Sequence, residues 1–241
     1  ALDLVVVTHA HLDHSGLLPR LTALGYRGPI LATEATCDLL KVLLLDSAHI
    51  QEKEAERENR RRYIRRLRKG SDRAPLYTVT QAQACLRRLV PSGYDRELFP
   101  VPGVRLMFRD AGHILGSAIV EMWLGQGAGC RKLVFSGDLG QPARPVLRDP
   151  TPIETADVLL VESTYGNRLH KSLAETEDEL VAALDDTLHR KGGNVIMPAF
   201  AVGRTQEVLY LLTDLVRRGR LSPFNIYVDS PMAKAATEVT L

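Results

Sequence analysis

The sequence predicts an α/β protein, on two observations. Short apolar, β-branched runs such as Leu4–Val7 alternate with stretches whose apolar residues recur at helical spacing. The mixture also shifts near residue 170, from a strand-rich part to strictly alternating strand and helix, the pattern of a parallel sheet. Residues 1–170 are therefore expected to form one domain, with a charged helical insertion around 51–75, and residues 171–241 the first part of a second. A chain of 241 residues is long enough to bury a substantial core.

The first strand, Leu4–Val7, has the composition of one covered on both faces. A polar, histidine-rich loop, 9–16, follows it, then a short helix through Leu17, Leu18, Leu21 and Leu24. Ile30-Leu31-Ala32 reads as a second strand. A long helix starts near Glu34 and carries Leu39, Leu40, Leu43 and Leu44 on one side. From Gln51 to Lys69 charge replaces this pattern, and Glu56 and Glu58 precede Arg60 and Arg62 by four residues, which supports a solvated helical arm ending at Gly70. Such a run is ordinarily just an exposed helix; the sharper reading is that Arg60–Lys69 touches a phosphate backbone.

Thr78-x-x-Gln81 is a capping box for a helix through Cys85, Leu86 and Leu89. Strands are expected at Val104–Phe108, Ala118–Trp123, Lys132–Phe135 and Val158–Val161. Ser172-x-x-Glu175 caps a helix through Leu180, Leu184 and Leu188 that Gly192-Gly193 closes. Strand Val195–Met197, a helix after Gly203 and strand Ile226–Val228 complete a β-α-β-α-β run.

Composition narrows the function classes. Hydrophobic residues at 45% and charged residues at 25% are ordinary for a globular protein, and a net charge of +2 names no partner. No apolar run approaches the roughly 18–20 residues of a membrane span. Cys37, Cys85 and Cys130 lie far apart with no CxxC pair, which disfavours both a disulfide framework and a cysteine metal site and favours a cytoplasmic protein. Ala1 opens almost directly onto a strand, and the last residues stop within an expected helix, so an internal piece of a longer protein is expected.

The chemistry concentrates in Thr8-His9-Ala10-His11-Leu12-Asp13-His14-Ser15-Gly16. Alternation at a strand end places His9 and His11 on one side, able to grip one ion, and the turn presents Asp13 and His14 to a second. Imidazole with carboxylate suits Zn²⁺, with Mn²⁺ or Fe²⁺ as substitutes. His113, between Gly112 and Gly116, and Asp138, in Ser136-Gly137-Asp138-Leu139-Gly140, each follow a strand, and a carboxylate in Asp138's place can bridge two metals. Glu162 ends a strand, where sites of α/β folds gather, which favours a functional role over that of a buried structural carboxylate. Arg204 opens a helix and suits a substrate phosphate, a salt bridge being equally ordinary. Ser230, before Pro231, is accounted for well as a helix N-cap.

HxHxDH, Gly-His and Ser-Gly-Asp-Leu-Gly, in this order, resemble three signature motifs of metallo-β-lactamase-fold hydrolases. Val161-Glu162-Ser163-Thr164-Tyr165-Gly166 resembles the first motif of their β-CASP group, which processes nucleic acids. Residues 198–207 and 229–233 look like the start of that group's inserted domain. The group includes bacterial ribonucleases and the endonuclease subunit of the eukaryotic pre-mRNA 3′-end cleavage complex. The resemblance spans nearly the whole chain apart from 51–75.

It implies a metallo-β-lactamase αββα sandwich, truncated at its N-terminus, followed by the start of a β-CASP domain with a parallel sheet. It implies two Zn²⁺: His9, His11 and His113 on one, Asp13 and His14 on the other, Asp138 between them. Asp13 and Glu162 are then catalytic, Glu162 by orienting a family histidine beyond Leu241, and Arg204 and Ser230 bind substrate. A further aspartate is implied before Ala1. The implied activity is zinc-dependent cleavage of RNA, endo- or exonucleolytic, by attack of a metal-bound hydroxide. A thioester or lactam hydrolase and a non-catalytic RNA-processing scaffold are the alternatives. RNA is the expected partner, single-stranded DNA and a homodimer stay open, and no membrane partner is expected.

Overall fold

The computed structural model describes residues 2–64, 72–168 and 173–241. Strands β1 (Val5–Val6), β2 (Ile30–Thr33) and β3 (Leu89–Ser92) form a three-stranded parallel sheet in that order. Strands β4 (Leu98–Val101), β5 (Val104–Asp110), β6 (Ala118–Leu124), β7 (Arg131–Phe135) and β8 (Val158–Leu160) form a five-stranded sheet, antiparallel except where β7 meets β8. The molecule is α/β, with one parallel and one mixed sheet.

Period-two alternation decides what each face of the first sheet buries. Val5, Val7, Ile30 and Ala32 face the helices α2 (Leu18–Ala23), α3 (Glu34–Ile64) and α4 (Val79–Leu86). Leu4, Val6 and Leu31 face the other way, onto Leu106, Phe108, Val120, Met122 and Phe135 of the second sheet. The first strand is thus covered on both faces, as its composition predicts. The Ala118 amide donates to the Thr8 carbonyl at 2.7 Å and ties the two sheets where the motif loops leave them.

Several elements differ from expectation. The 9–16 loop contains a helical turn, α1 (Leu12–Ser15), whose Ser15 hydroxyl donates to the Ala10 and His11 carbonyls at 2.9 Å. The capping box forms: the Gln81 amide donates to Thr78 Oγ1 at 3.3 Å, and Gln81 Oε1 accepts from the Thr78 amide at 2.9 Å. The helix it starts stops at Leu86, because the backbone from Leu89 onward pairs with β2. Strands β3 and β4 were not expected. The charged stretch is no separate helix, since α3 runs unbroken for 31 residues; Arg65–Gly70 lie outside the described residues.

The largest difference lies after residue 170. Helices α5 (Leu173–Leu184), α6 (Arg204–Arg217) and α7 (Pro231–Thr240) are present, α5 passing into a π-type turn over Asp185–Arg190, while Ser172 lies outside the described residues. Val195–Met197 and Ile226–Val228 are not strands, and among the described residues no sheet follows Leu160. Their composition is strand-like, but a strand exists only through its partners, and Ile196 and Tyr227 stand 89% and 85% exposed. Val202 and Ala236 join the buried cluster of α3 and Ile114, so α7 and the turn before α6 pack beside the His113 loop. No helix among the described residues is long and apolar enough to cross a membrane.

Candidate metal centre

Three loops leave the same end of the two sheets: the one after β1, the one joining β5 to β6, and the one after β7. Close backbone approach locks the second and third together. The Gly140 amide donates to the Ala111 carbonyl at 2.8 Å, and a Cβ on Gly140 would lie 1.7 Å from the Gly112 oxygen. Gly137, at φ 56°, passes so close to Thr8 that a Cβ there would meet the threonine at 2.9 Å. Glycine is required at these positions because nothing larger fits.

The loops bring His9, His11, His113 and Asp138 together, with one ligand atom from each lying within 4.8 Å of the others. His9 is fully buried; its Nδ1 lies 3.1 Å from Thr8 Oγ1, which leaves Nε2 facing the cluster. That Nε2 has no hydrogen-bond partner and sits 3.8 Å from Asp138 Oδ2. His113 Nε2 lies 3.1 Å from His11 Nδ1 and 3.6 Å from Asp138 Oδ2. Asp138 Oδ1 faces the other way, 3.3 Å from His14 Nε2.

Crowded imidazoles repel one another's protons, and burial disfavours their charge. Burial, followed by His14, His11 and His113, pushes His9 down to about 2. Burial is likewise the first cause lowering His11 and His113, and Asp138 opposes it at both. Neutral imidazoles around a carboxylate are the protonation state a divalent cation needs. An orphaned buried nitrogen aimed into such a donor set fits a metal ion and is costly without one.

The remaining predicted residues are placed differently. Asp13 lies outside the four-residue group, its side chain 76% exposed, with Oδ2 3.6 Å from His14 Nε2. Glu162 meets no histidine by hydrogen bond among the described residues; its Oε1 accepts from the Leu139 amide, next to Asp138, and its own amide donates to Ser136 Oγ at 3.0 Å. Arg204 pairs with Glu207 at 2.9 Å. Ser230 Oγ accepts from the Ala233 amide at 3.1 Å and caps α7. The turn before α6 does reach the site's rim, since a Cβ on Gly203 would meet Ile114 at 3.0 Å.

Sequence reasoning missed the groups that hold the His113 loop. Thr33 and Thr36 both donate to the Gly116 carbonyl, at 2.6 and 2.8 Å. Ser117 Oγ accepts from the His113 and Ile114 amides at 3.0 and 3.2 Å, and the Tyr94 hydroxyl donates to the Ser117 carbonyl at 2.8 Å. Isolated hydroxyls some 80 residues from their acceptor carry no local signal.

The chain is 40% identical over 231 residues to Ribonuclease TTHA0252 of Thermus thermophilus, covering 96% of this chain and 47% of that protein. It is 34% identical over 239 residues to Transcription termination factor FttA of Methanothermobacter thermautotrophicus, covering 98% of this chain and 34% of that protein. The chain is thus similar, over nearly its whole length, to a protein named a ribonuclease and to one named a transcription termination factor. It spans about half or less of the length of these curated relatives. No family model matches the chain. A crystal structure of a protein of unknown function from Enterococcus faecalis shares its fold, with a TM-score of 0.56 at 12% identity over 98% of this chain and 48% of that one.

Proposed function

We propose that this chain belongs to the β-CASP group and carries most of the metal-binding half of a zinc-dependent phosphodiesterase that cleaves RNA. The observation that carries the reading is His9 Nε2, buried, unpartnered and facing His11, His113 and Asp138. A histidine built only for stability would satisfy that atom. The RNA substrate is supported by the relatives, one named a ribonuclease and another a transcription termination factor.

In this reading residues 1–170 form a metallo-β-lactamase αββα sandwich and 171–241 begin the β-CASP domain. His9, His11 and His113 would hold one zinc, and Asp13 and His14 a second. Asp138 would serve both, since its two oxygens already face different histidines. Bound zinc ions supply an activated water near neutral pH and neutralise charge on the phosphate. The chain's own part is positional. Thr8 sets the His9 ring, Glu162 and Ser136 hold the Asp138 loop, and the Gly112–Gly140 contact fixes its distance from His113. Asp13, exposed beside His14, would lie on the side from which water reaches the ions, and Arg204, whose helix starts near the rim, would be the phosphate contact.

The test is digestion of end-labelled RNA with metal analysis of the same preparation. Asp13→Ala and His14→Ala are expected to abolish cleavage while leaving the circular dichroism spectrum unchanged. Wild-type rates from either variant, or intact RNA beside a hydrolysed thioester or lactam, would refute the proposal.

A further inference from the structure

The metal centre does not account for the distal end of α3. Ala55 is the last buried residue of that helix; Arg57 and all of 60–64 are exposed. A helix end with no apolar contact has little reason to stay ordered, yet this one is tied down. Asn59 clasps the Arg73 backbone with two hydrogen bonds, of 2.9 and 2.8 Å, and Arg73 pairs with Glu58 at 2.6 Å. Gln51 and Glu52 accept from the Leu76 and Val79 amides at 3.1 and 2.9 Å, so the returning chain is zipped along the helix.

These ties also sort the charges. Glu58 is used by Arg73, and Glu56 by Lys53 at 3.1 Å. Arg57, Arg60 and Arg61 pair with no carboxylate among the described residues, and Glu54, one turn earlier, reaches none of them. Spaced at i, i+3 and i+4, the three arginines share one face. Tyr63, 81% exposed, sits just beyond them. Unpaired guanidiniums with an exposed aromatic ring are the combination that holds single-stranded nucleic acid, by phosphate contact and base stacking.

The other end of the same helix meets the metal loops, where Thr36 holds Gly116. From Thr36 to Tyr63 the helix measures about 40 Å at 1.5 Å per residue. We propose that Arg57, Arg60 and Arg61, with Tyr63, form a second RNA contact about 40 Å from the metal centre along a rigid helix, engaged only by strands long enough to reach both. At about 3.4 Å per stacked nucleotide that is on the order of a dozen nucleotides. This deepens the ribonuclease reading and rests on it.

The test compares the wild-type protein with Arg57→Gln/Arg60→Gln/Arg61→Gln, changes that keep helix propensity. Binding of a fluorescent 30-nucleotide RNA is measured across salt concentrations with chelator present, and cleavage of a 6-nucleotide RNA with metal present. The variant is expected to bind the long RNA about tenfold more weakly, with a salt slope smaller by about 2 at roughly 0.7 per lost phosphate contact. Cleavage of the short RNA should be unchanged. An unaltered slope and affinity would overturn the inference, as would weakened cleavage of the short RNA. Retained RNA binding with lost capture of an acidic protein would assign the arm to a protein partner and equally overturn it. If neither protein cleaves any RNA but the binding difference stands, the ribonuclease reading fails and the RNA contact survives.

Discussion

Glu162 illustrates how a residue's chemical role depends on what its side chain touches. Its place at the end of an apolar strand marks it as a site residue, and the family resemblance implies a histidine partner beyond Leu241. Within this chain its carboxylate instead holds the Leu139 amide, one residue from Asp138, so it aims the carboxylate that faces both His113 and His14. Groups that orient metal-binding side chains typically change affinity by about 10–100-fold when removed. Glu162→Ala is therefore expected to weaken zinc binding by that factor, measured by competition with a chelating dye. Glu162→Gln, which keeps an acceptor oxygen for the amide, should restore most of it. Equal loss in both variants would show that the charge matters and the hydrogen bond does not. His9, His11, His14 and His113 were legible as candidate ligands because imidazoles at that spacing, in loops that follow strands, suit a metal ion. Arg204 and Ser230 show the opposite case, since Glu207 and the Ala233 amide give each an ordinary task.

At the level of elements the site depends on loops that interlock. The His113 and Asp138 loops touch through Gly112 and Gly140, with no room for a methyl group between them. Gly140→Ala would force them apart and is expected to destabilise the protein by about 2 kcal/mol or more while abolishing tight zinc binding. Gly129→Ala, where an added Cβ meets nothing within 4 Å, is the matching control and should stay within about 0.5 kcal/mol. Urea melts and zinc titrations of the two variants separate these outcomes. The strands flanking these loops were legible from their apolar runs, and the capping box of α4 from four letters. Val195–Met197 and Ile226–Val228 read as strands for the same reason, yet they pair with nothing among the described residues. Periodicity reports which residues want burial, and only a neighbouring strand turns that into a sheet.

For the molecule as a whole, the cluster joins chain segments as far apart as His9 and Asp138, so an ion bound there would couple its binding to folding. Zinc at about 100 times its dissociation constant should add about 2.7 kcal/mol and raise the Tm of chelated protein by about 5–10 °C. The metal-free protein should also be acid-sensitive. The folded state keeps His9 neutral down to about 2, whereas the unfolded chain takes up that proton below 6.5. Stability is therefore fully present above about pH 6.5 and is lost progressively as the pH falls below it. Urea midpoints of chelated protein at about pH 7.5 and about pH 5.5 check this, and equal midpoints would contradict the buried, neutral His9.

Residue types and short spacings determined the α/β class, the first strand's two covered faces and the identity of the metal-binding candidates, because those properties are local in the chain. Tertiary structure alone decided that the candidates converge, that Asp138 faces histidines on both sides, and that Glu162 serves the Asp138 loop. It also decided that α3 joins the metal loops to the arginine arm as one rod. Each of these is a distance between residues far apart in sequence, and such distances come from packing and backbone pairing, which no short motif encodes.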